Sequence, residues 1–284
     1  MNIGIIGNGF VGGAVYNAFY NNFNIKIYDK NIDRSKDDFD QTIEQDLVFI
    51  CVPTPMKSIN GSECNLSILN SVLSEINDKI KRNDNIIIIK STVPVGTTRQ
   101  LQIQYPKLNI LHSPEFLTAK NANDDFINAS RHIFGIPNIQ QNNKNFDKVI
   151  NFFKLIFDKS LIITMDSNES ELVKYMCNCF LATKVSFFNE MKLLSNKLNL
   201  DWKSIMTGVL ADERIGNSHT AVPGHDGDNG FGGTCFPKDI NAMIYLMKEH
   251  NLNPLIIDAT WEQNKLVRKN WDWASEPSAV MEDK

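Results

Sequence analysis

The sequence predicts an α/β protein: a Rossmann-type doubly wound parallel sheet followed by a mainly helical domain. Three observations predict it. Short apolar runs alternate with helical stretches across residues 1–165. A glycine turn, Gly7-Asn8-Gly9-Phe10-Val11-Gly12, joins the first apolar run to the first helical stretch. Past residue 165 the texture becomes helical, led by a pattern over 169–198 with no Gly or Pro. We therefore expect a Rossmann-type domain over 1–165 and a mainly helical domain over 166–284.

Each element has a local reason. Residues 2–6 form an apolar run that stops at Gly7, and a helical pattern then continues to residue 20. Residues 25–28 form the second strand, ending at Asp29, and 47–52 the third, stopped by Pro53 and Pro55. Leu66, Leu69, Val72, Leu73, Ile76 and Ile80 have the 3.6-residue period of a helix over 66–80. The run 86–89 is a wholly apolar strand, closed by Ser91-Thr92-Val93-Pro94. Further strands are expected at 108–111, 132–136 and 161–164, with a helix over 146–157 between the last two. In the second domain, helices are expected over 169–198, 201–210, 237–249 and 254–269. Between them, 214–234 reads as a loop dense in Gly, His and Asp, and the polar tail 271–284 as frayed.

Composition narrows the function classes. Hydrophobic residues make up 42% and charged residues 22% of the 284 residues, the balance of a globular protein with a real core. The net charge of −4 provides no basic face for nucleic acid. No apolar run reaches the roughly 18–20 residues that span a membrane. The start, MNIGIIG, reads directly as a strand and not as a signal peptide. Five cysteines, Cys51, Cys64, Cys177, Cys179 and Cys235, are an odd set that does not pair into a disulfide framework. The expectation is a cytoplasmic protein with free thiols.

The glycine turn is a G-x-G-x-x-G with its structural context satisfied. Gly7 permits the tight turn, Gly9 lets backbone approach a pyrophosphate, and Gly12 lets helix and strand pack closely; Phe10 and Val11 open the helix whose N-terminus faces the phosphates. Asp29 ends the second strand, twenty residues after Gly9. An acidic side chain there accepts from an adenosine ribose and repels a 2′-phosphate, so the expected cofactor is NAD. Val52, Pro53 and Thr54 lie past the third strand, Ser91 and Thr92 past the fourth, and Ser113-Pro114-Glu115-Phe116-Leu117 past the fifth. Ligands of open parallel sheets bind outside the carboxyl ends of the strands, so these stretches are expected to meet in one crevice by the nicotinamide.

The chemical groups follow. Lys174 and Asn178 are four residues apart on the long helix and share a face. A cation and a directed amide donor suit a developing oxyanion. In Gly230-Phe-Gly-Gly-Thr-Cys-Phe-Pro-Lys-Asp239, Pro237 suits the first position of a helix, which puts Cys235 just before the helix N-terminus, where thiolate is favoured. Lys238 adds positive charge, and Asp239 lies four residues beyond the thiol. A low-pKa thiol near NAD implies covalent redox chemistry at the carbonyl level.

Taken together, these motifs resemble the UDP-glucose/GDP-mannose dehydrogenase family over nearly the whole chain. The resemblance rests on Gly7-x-Gly9-x-x-Gly12, Val52-Pro-Thr-Pro55, Ser91-Thr-Val-Pro94, Ser113-Pro-Glu-Phe-Leu117, Lys174-x-x-x-Asn178, Phe188-Asn-Glu190, Arg214-Ile-Gly216 and the Gly230–Asp239 stretch. It implies NAD-dependent, four-electron oxidation of a nucleotide-sugar 6-hydroxyl to the carboxylate, with UDP-glucose to UDP-glucuronate favoured. Cys235 would be the nucleophile, Lys174 and Asn178 the oxyanion donors, and Glu115, Thr92 and Asp239 the groups that handle protons and water. Glu115, Phe116, Leu117 and Thr118, together with Phe231, Gly232 and Gly233, would cradle the substrate. Arg214 would reach the neighbouring site of a homodimer.

Members of the family usually carry a third, C-terminal Rossmann-like domain, so the resemblance implies either a naturally short form or a truncated chain here. The stretch between Arg214 and Cys235 is longer than the family pattern, adding His219, Pro223, His225, Asp226 and Asp228. No metal is expected there. Ala119 stands where many relatives carry an acidic residue. Two other readings remain: a two-domain 3-hydroxyacid dehydrogenase, which needs neither Cys235 nor the glycine loop, and a catalytically weak nucleotide-sugar binding protein.

Overall fold

Among the described residues, seven short strands build one sheet: β1 (Ile3–Ile6), β2 (Ile25–Tyr28), β3 (Leu47–Ile50), β4 (Ile86–Ile89), β5 (Ile110–His112), β6 (Arg131–Ile136) and β7 (Leu161–Asp166). Their order in the computed structural model, which describes residues 1–59, 62–118, 121–138 and 144–281, is β2-β1-β3-β4-β5-β6-β7. Ala119 lies outside the described residues. Parallel pairing holds from β2 through β5, with Ile6 opposite Tyr28 on one side and Ile50 on the other. The strand order reverses between β1 and β3, which is where such sheets open a crevice.

Period-two alternation explains the two cores. Ile3, Ile5, Leu47, Phe49, Ile86 and Ile88 point to one face and pack with Val15, Phe19 and Phe153. Ile6, Val48, Ile50, Ile87 and Ile89 point to the other and pack with Leu69, Leu73 and Ile76. The covering helices are α1 (Phe10–Phe19), α2 (Phe39–Ile43), α3 (Ser67–Lys79), α4 (Thr97–Gln104), α5 (Ala122–Ile127) and α6 (Lys144–Ile156). Of these, α2, α4 and α5 have five to eight residues, too few turns to show a helical period in the sequence.

The sheet is mostly parallel, as expected, with one departure at β5–β6. β6 runs antiparallel to β5, with His112 opposite Gly135, and β7 pairs parallel to β6. Apolar runs report burial and not strand direction, and an antiparallel neighbour needs no crossover helix.

The remaining helices are α7 (Ser167–Lys197), α8 (Trp202–Leu210), α9 (Cys235–Glu249) and α10 (Leu255–Val267), followed by a 3-10 turn over Asp272–Ser275. Asp201 caps α8, accepting from the N–H groups of Lys203 and Ser204. The chain divides into one unit of Met1–Thr54 and Leu66–Lys174 and a second of Pro55–Asn65 and Tyr175–Lys284. The division between these units falls within α7, after Lys174. Its first turns are fastened to the sheet unit: Ser170 Oγ is 2.7 Å from His112 Nδ1, and Lys174 Nζ donates to Glu115 at 2.8 Å.

The frayed tail is corrected over residues 271–281; 282–284 lie outside the described residues. Trp273 and Ala279 are fully buried, in a cluster with Tyr175, Ile240, Met243 and Trp261. Met56 N–H donates to Ala279 O at 2.7 Å, and Met281 N–H to Met56 O at 2.8 Å. Buried Trp273 and Ala279, with partly buried Val280 packed against the same cluster, outweigh the polar neighbours that made this stretch read as loose. Among the described residues, no helix is long and apolar enough to cross a membrane.

Candidate active site

In the sheet unit, the predicted residues gather past the carboxyl ends of β1, β3, β4 and β5. Gly7 has φ +93°, and a Cβ on Gly12 would lie 1.9 Å from the Gly7 carbonyl oxygen, so packing alone demands both glycines. Gly9 differs. Its φ is −89°, and a Cβ there would meet no protein atom within 4 Å. Neither backbone strain nor protein packing requires a glycine at that position, which fits a turn that a dinucleotide's pyrophosphate approaches closely. Asp29 accepts from Asn8 N–H at 2.7 Å and from Asn31 N–H at 2.8 Å, so it ties the turn to the end of β2.

The next two loops are bolted together. Ser91 Oγ donates to Val52 O, and Thr54 Oγ1 donates to Thr92 O, both at 2.6 Å. Ser91, Thr92 and Thr54 are all buried.

The fifth-strand loop contributes a charged pair. Lys174 and Glu115 are 3% and 7% exposed and meet at 2.8 Å. Burial by itself would raise the Glu115 carboxyl, but the Lys174 ammonium and the Leu117 N–H, which donates at 2.6 Å, hold it below the usual carboxylate range. The ring of Phe116 lies under two cations, 4.5 Å from the Arg131 guanidinium and 5.5 Å from the Lys174 ammonium. Thr118 is fixed by Asp125, which accepts from its N–H at 2.7 Å. Residues 115–118 line a cavity of about 510 Å³ together with buried Lys90 and His132. Burial brings the Lys90 amine down to about 8, partly opposed by Cys51 and Glu115. The Lys90 ammonium donates to Ser113 Oγ and Pro114 O, each at 3.3 Å. Sequence reasoning passed over Lys90 because it reads as the polar end of an apolar strand.

In the helical unit, Cys235 is the first residue of α9, with Thr234 as N-cap, and not the residue before the helix. The helix opens two residues earlier than Pro237 indicates, which keeps the thiol in the turn where the backbone N–H groups are unpaired. Asp239 is 1% exposed and accepts from Asn178 Nδ2 at 2.6 Å and from Lys238. Burial would lower the Lys238 pKa, but Asp239, Cys235 and Cys64 together raise it, so its ammonium is secure. Arg214 is 89% exposed and is held by Asp212 at 2.6 Å. Of the six proposed catalytic residues, Thr92, Glu115 and Lys174 belong to the sheet unit and Asn178, Cys235 and Asp239 to the helical unit.

The glycines before Cys235 are clamped by groups that sequence reasoning missed. Gly230 and Gly233 both have φ +69°. Gly230 N–H donates to Asn189 Oδ1 at 3.0 Å, and Gly233 N–H to Asp272 Oδ2 at 3.0 Å. Buried Arg268 reaches Asp226 at 2.7 Å and Asp272 at 3.3 Å, and a Cβ on Gly232 would lie 2.1 Å from its Nη2. Asp228 Oδ2 accepts from the N–H groups of Lys269 and Asn270. The acids of the long 217–229 stretch are therefore spent on anchoring it to the end of α10. No group of three or more metal-ligating side chains occurs among the described residues.

A glycine turn on a doubly wound sheet, followed by helices with a cysteine at a helix start, defines a dinucleotide-binding α/β protein with a thiol-bearing second unit. Residues 27–154 match the NAD binding domain of the UDP-glucose/GDP-mannose dehydrogenase family, and residues 168–266 match its central domain. The chain belongs to this family. It is 35% identical over 233 residues to a UDP-glucose 6-dehydrogenase of Rickettsia prowazekii, covering 79% of this chain and 50% of that protein. It is 36% identical over 200 residues to one of Campylobacter jejuni, covering 69% and 46%. The chain spans about half the length of the curated relatives it matches. Among solved structures, a UDP-glucose dehydrogenase from Pyrobaculum islandicum superposes with a TM-score of 0.81 at 24% identity, over 93% of this chain and 68% of that one. A 3-hydroxyisobutyrate dehydrogenase from Mycobacterium tuberculosis gives 0.71 at 15% identity, over 93% of both chains. At these identities the likeness is one of fold.

Proposed function

We propose that this protein oxidises the 6-hydroxyl of a nucleotide sugar to the carboxylate, with UDP-glucose as the favoured substrate and UDP-glucuronate as the product. The observation that carries this reading is Cys235 at the first position of a fifteen-residue helix, behind a clamped glycine loop. A fold of this kind that removed a single hydride would have no use for a thiol there.

NAD, when bound, takes up one hydride at each of two oxidations. The first oxidation converts the alcohol to an aldehyde. The Cys235 thiolate then adds to the aldehyde carbon, giving a thiohemiacetal. Loss of the second hydride leaves a thioester, and water cleaves it to the carboxylate and the free thiol. Lys174 and Asn178 stabilise the oxyanion of each tetrahedral stage. Glu115, held ionised by Lys174, Thr92 and Asp239 move protons and orient the water. Glu115, Phe116, Leu117 and Thr118, with Phe231, Gly232 and Gly233, cradle the sugar. On the cofactor side we assign Gly7, Gly9, Gly12, Asp29 and the loops at Val52–Thr54 and Ser91–Thr92.

A homodimer is part of the proposal. Met176, Phe180, Phe187 and Leu194 are 52–68% exposed and spaced by four, seven and seven residues along α7, the seam spacing of paired helices. Arg214, exposed at 89%, is free to extend if its bond to Asp212 opens. We place the protein in the cytoplasm, in keeping with its free cysteines.

The test is a count of NADH formed per nucleotide sugar consumed, with the product identified by mass. Two equivalents and an acid are expected. One equivalent and an aldehyde or ketone would instead favour the 3-hydroxyacid dehydrogenase reading, whose fold the Mycobacterium tuberculosis protein shares. Binding with no NADH would favour the binding protein.

A further inference from the structure

Glu171 is an acidic residue that nothing in the proposed chemistry uses, yet it is fully buried. It lies three residues before Lys174 on α7. The helix opposite it, α4, has Gly96 as its N-cap, with φ +96° and no side chain to cap the helix start. Glu171 supplies that cap from a distance in sequence. Gly96 N–H donates to Oε2 at 2.6 Å, and Thr98 donates to Oε1 through its N–H at 2.8 Å and its Oγ1 at 2.5 Å. The segment capped in this way leads straight out of the Ser91–Thr92 loop.

We propose that Glu171 is a positioning residue: its carboxylate caps α4 and so fixes the Ser91–Gly96 loop to the same helix that carries Lys174. The proposal rests on the reading of that loop as part of the NAD site. The charged groups around the carboxylate are few. Asp166, at the end of β7, faces it and is itself paired with Arg99 of α4 at 2.6 Å. Burial first, then Asp166, lift the Glu171 carboxyl to about 7, against the three hydrogen bonds that favour its ionised form. The carboxylate accepts all three donors only when ionised; a proton on either oxygen displaces one of them. The cap is therefore complete above neutral pH and weakened below it.

The experiment measures NAD affinity by fluorescence between pH 5.5 and 8.5, and amide hydrogen exchange of the 91–104 peptide at one pH, for the wild-type chain, Glu171→Gln, Thr98→Ser and Thr98→Val. Wild-type affinity is expected to rise through pH 7. Glu171→Gln should bind NAD roughly tenfold more weakly at pH 8, the worth of one charge-assisted hydrogen bond, with a flat pH profile and faster exchange in 91–104. Thr98→Ser keeps the hydroxyl and should match wild type, whereas Thr98→Val should shift the midpoint upward. If Glu171→Gln keeps wild-type affinity and pH profile and loses only thermal stability, the residue is structural and the proposal is wrong. If wild type binds no NAD at any pH, the reading of the loop as a cofactor site fails, and the exchange data alone decide the cap: unchanged protection in 91–104 of Glu171→Gln overturns it.

Discussion

The side-chain amide of Asn264 holds Phe231 by both of its backbone polar groups. Its Oδ1 accepts from Phe231 N–H at 2.7 Å, and its Nδ2 donates to Phe231 O at 2.9 Å. Asn264 is fully buried on α10, and Phe231 sits four residues before Cys235. The loop that delivers the thiol is therefore read by an amide that no other side chain can imitate, because only Asn and Gln present a donor and an acceptor side by side.

Asn264→Ala should destabilise the protein by about 2–4 kcal/mol, because it strands a buried N–H and a buried carbonyl together. Asn264→Asp should be no better, since its carboxylate can accept but not donate. Urea unfolding measures both. A loss below 1 kcal/mol in either would mean that water or a shifted loop satisfies Phe231.

Cys235→Ser should abolish carboxylate formation, because a serine adduct at this position does not pass through a thioester. Mass spectrometry of wild type stopped during turnover should show the acyl adduct on the peptide that contains Cys235, and the variant should show none. Steady-state turnover at the wild-type rate in the variant would rule out covalent catalysis.

The Glu115–Lys174 pair predicts an acid-sensitive fold. Glu115 is depressed in the folded state relative to its ordinary value of 4.5. The stability it contributes is therefore present above pH 4.5 and lost as pH falls through the folded value. Glu171, lifted to about 7, has the opposite sign: its contribution is present below 4.5 and lost as pH rises through 7. Glu115→Gln should therefore flatten the acid side of the stability profile, and Glu171→Gln the neutral side. Lys174→Met, which leaves a buried carboxylate without its cation, should cost about 3–5 kcal/mol near neutral pH. Adding Glu115→Gln to it should recover part of that loss.

The proposed homodimer would pair through the apolar seam on α7. Phe180→Asp, placed at a residue 68% exposed, should leave the fold of one chain intact and shift the protein from dimer to monomer by light scattering. A wild-type chain that is already monomeric at micromolar concentration would remove the basis for Arg214 reaching a neighbour.

The legible parts of this protein share one property: their signal is local. The glycine turn, the Ile-rich strands and the helix that starts at Cys235 each announce themselves within a dozen residues. The features that escaped are long-range polar contacts. Glu171 and Thr98 are 73 residues apart, Arg268 and Asp226 are 42 apart, and none of the four has a periodic or compositional mark. Strand direction escaped for a related reason. Over His132–Ile136 β6 is as buried as β4, and only pairing distinguishes antiparallel from parallel. The tail failed differently: its buried anchors, Trp273 and Ala279, are diluted among acids and serines, so its average polarity concealed its packing.

Two glycines of the same turn predict opposite outcomes. Gly12 is required by the fold, because a Cβ there would meet the Gly7 carbonyl oxygen at 1.9 Å, and backbone cannot move aside cheaply. Gly12→Ala should therefore destabilise the sheet unit by about 1–3 kcal/mol, as overpacked sites do. Gly9 has no such neighbour, and its φ of −89° suits any residue. Gly9→Ala should leave the unfolding midpoint essentially unchanged. If a pyrophosphate lies against that backbone, however, the added methyl group keeps it away, and NAD affinity should fall by roughly tenfold or more, the equivalent of at least one lost hydrogen bond to a charged group. Measured together, thermal unfolding and NAD titration separate the two roles: Gly12→Ala moves the first, Gly9→Ala the second. A Gly9→Ala variant that binds NAD as wild type does would show that the cofactor's phosphates do not approach this turn.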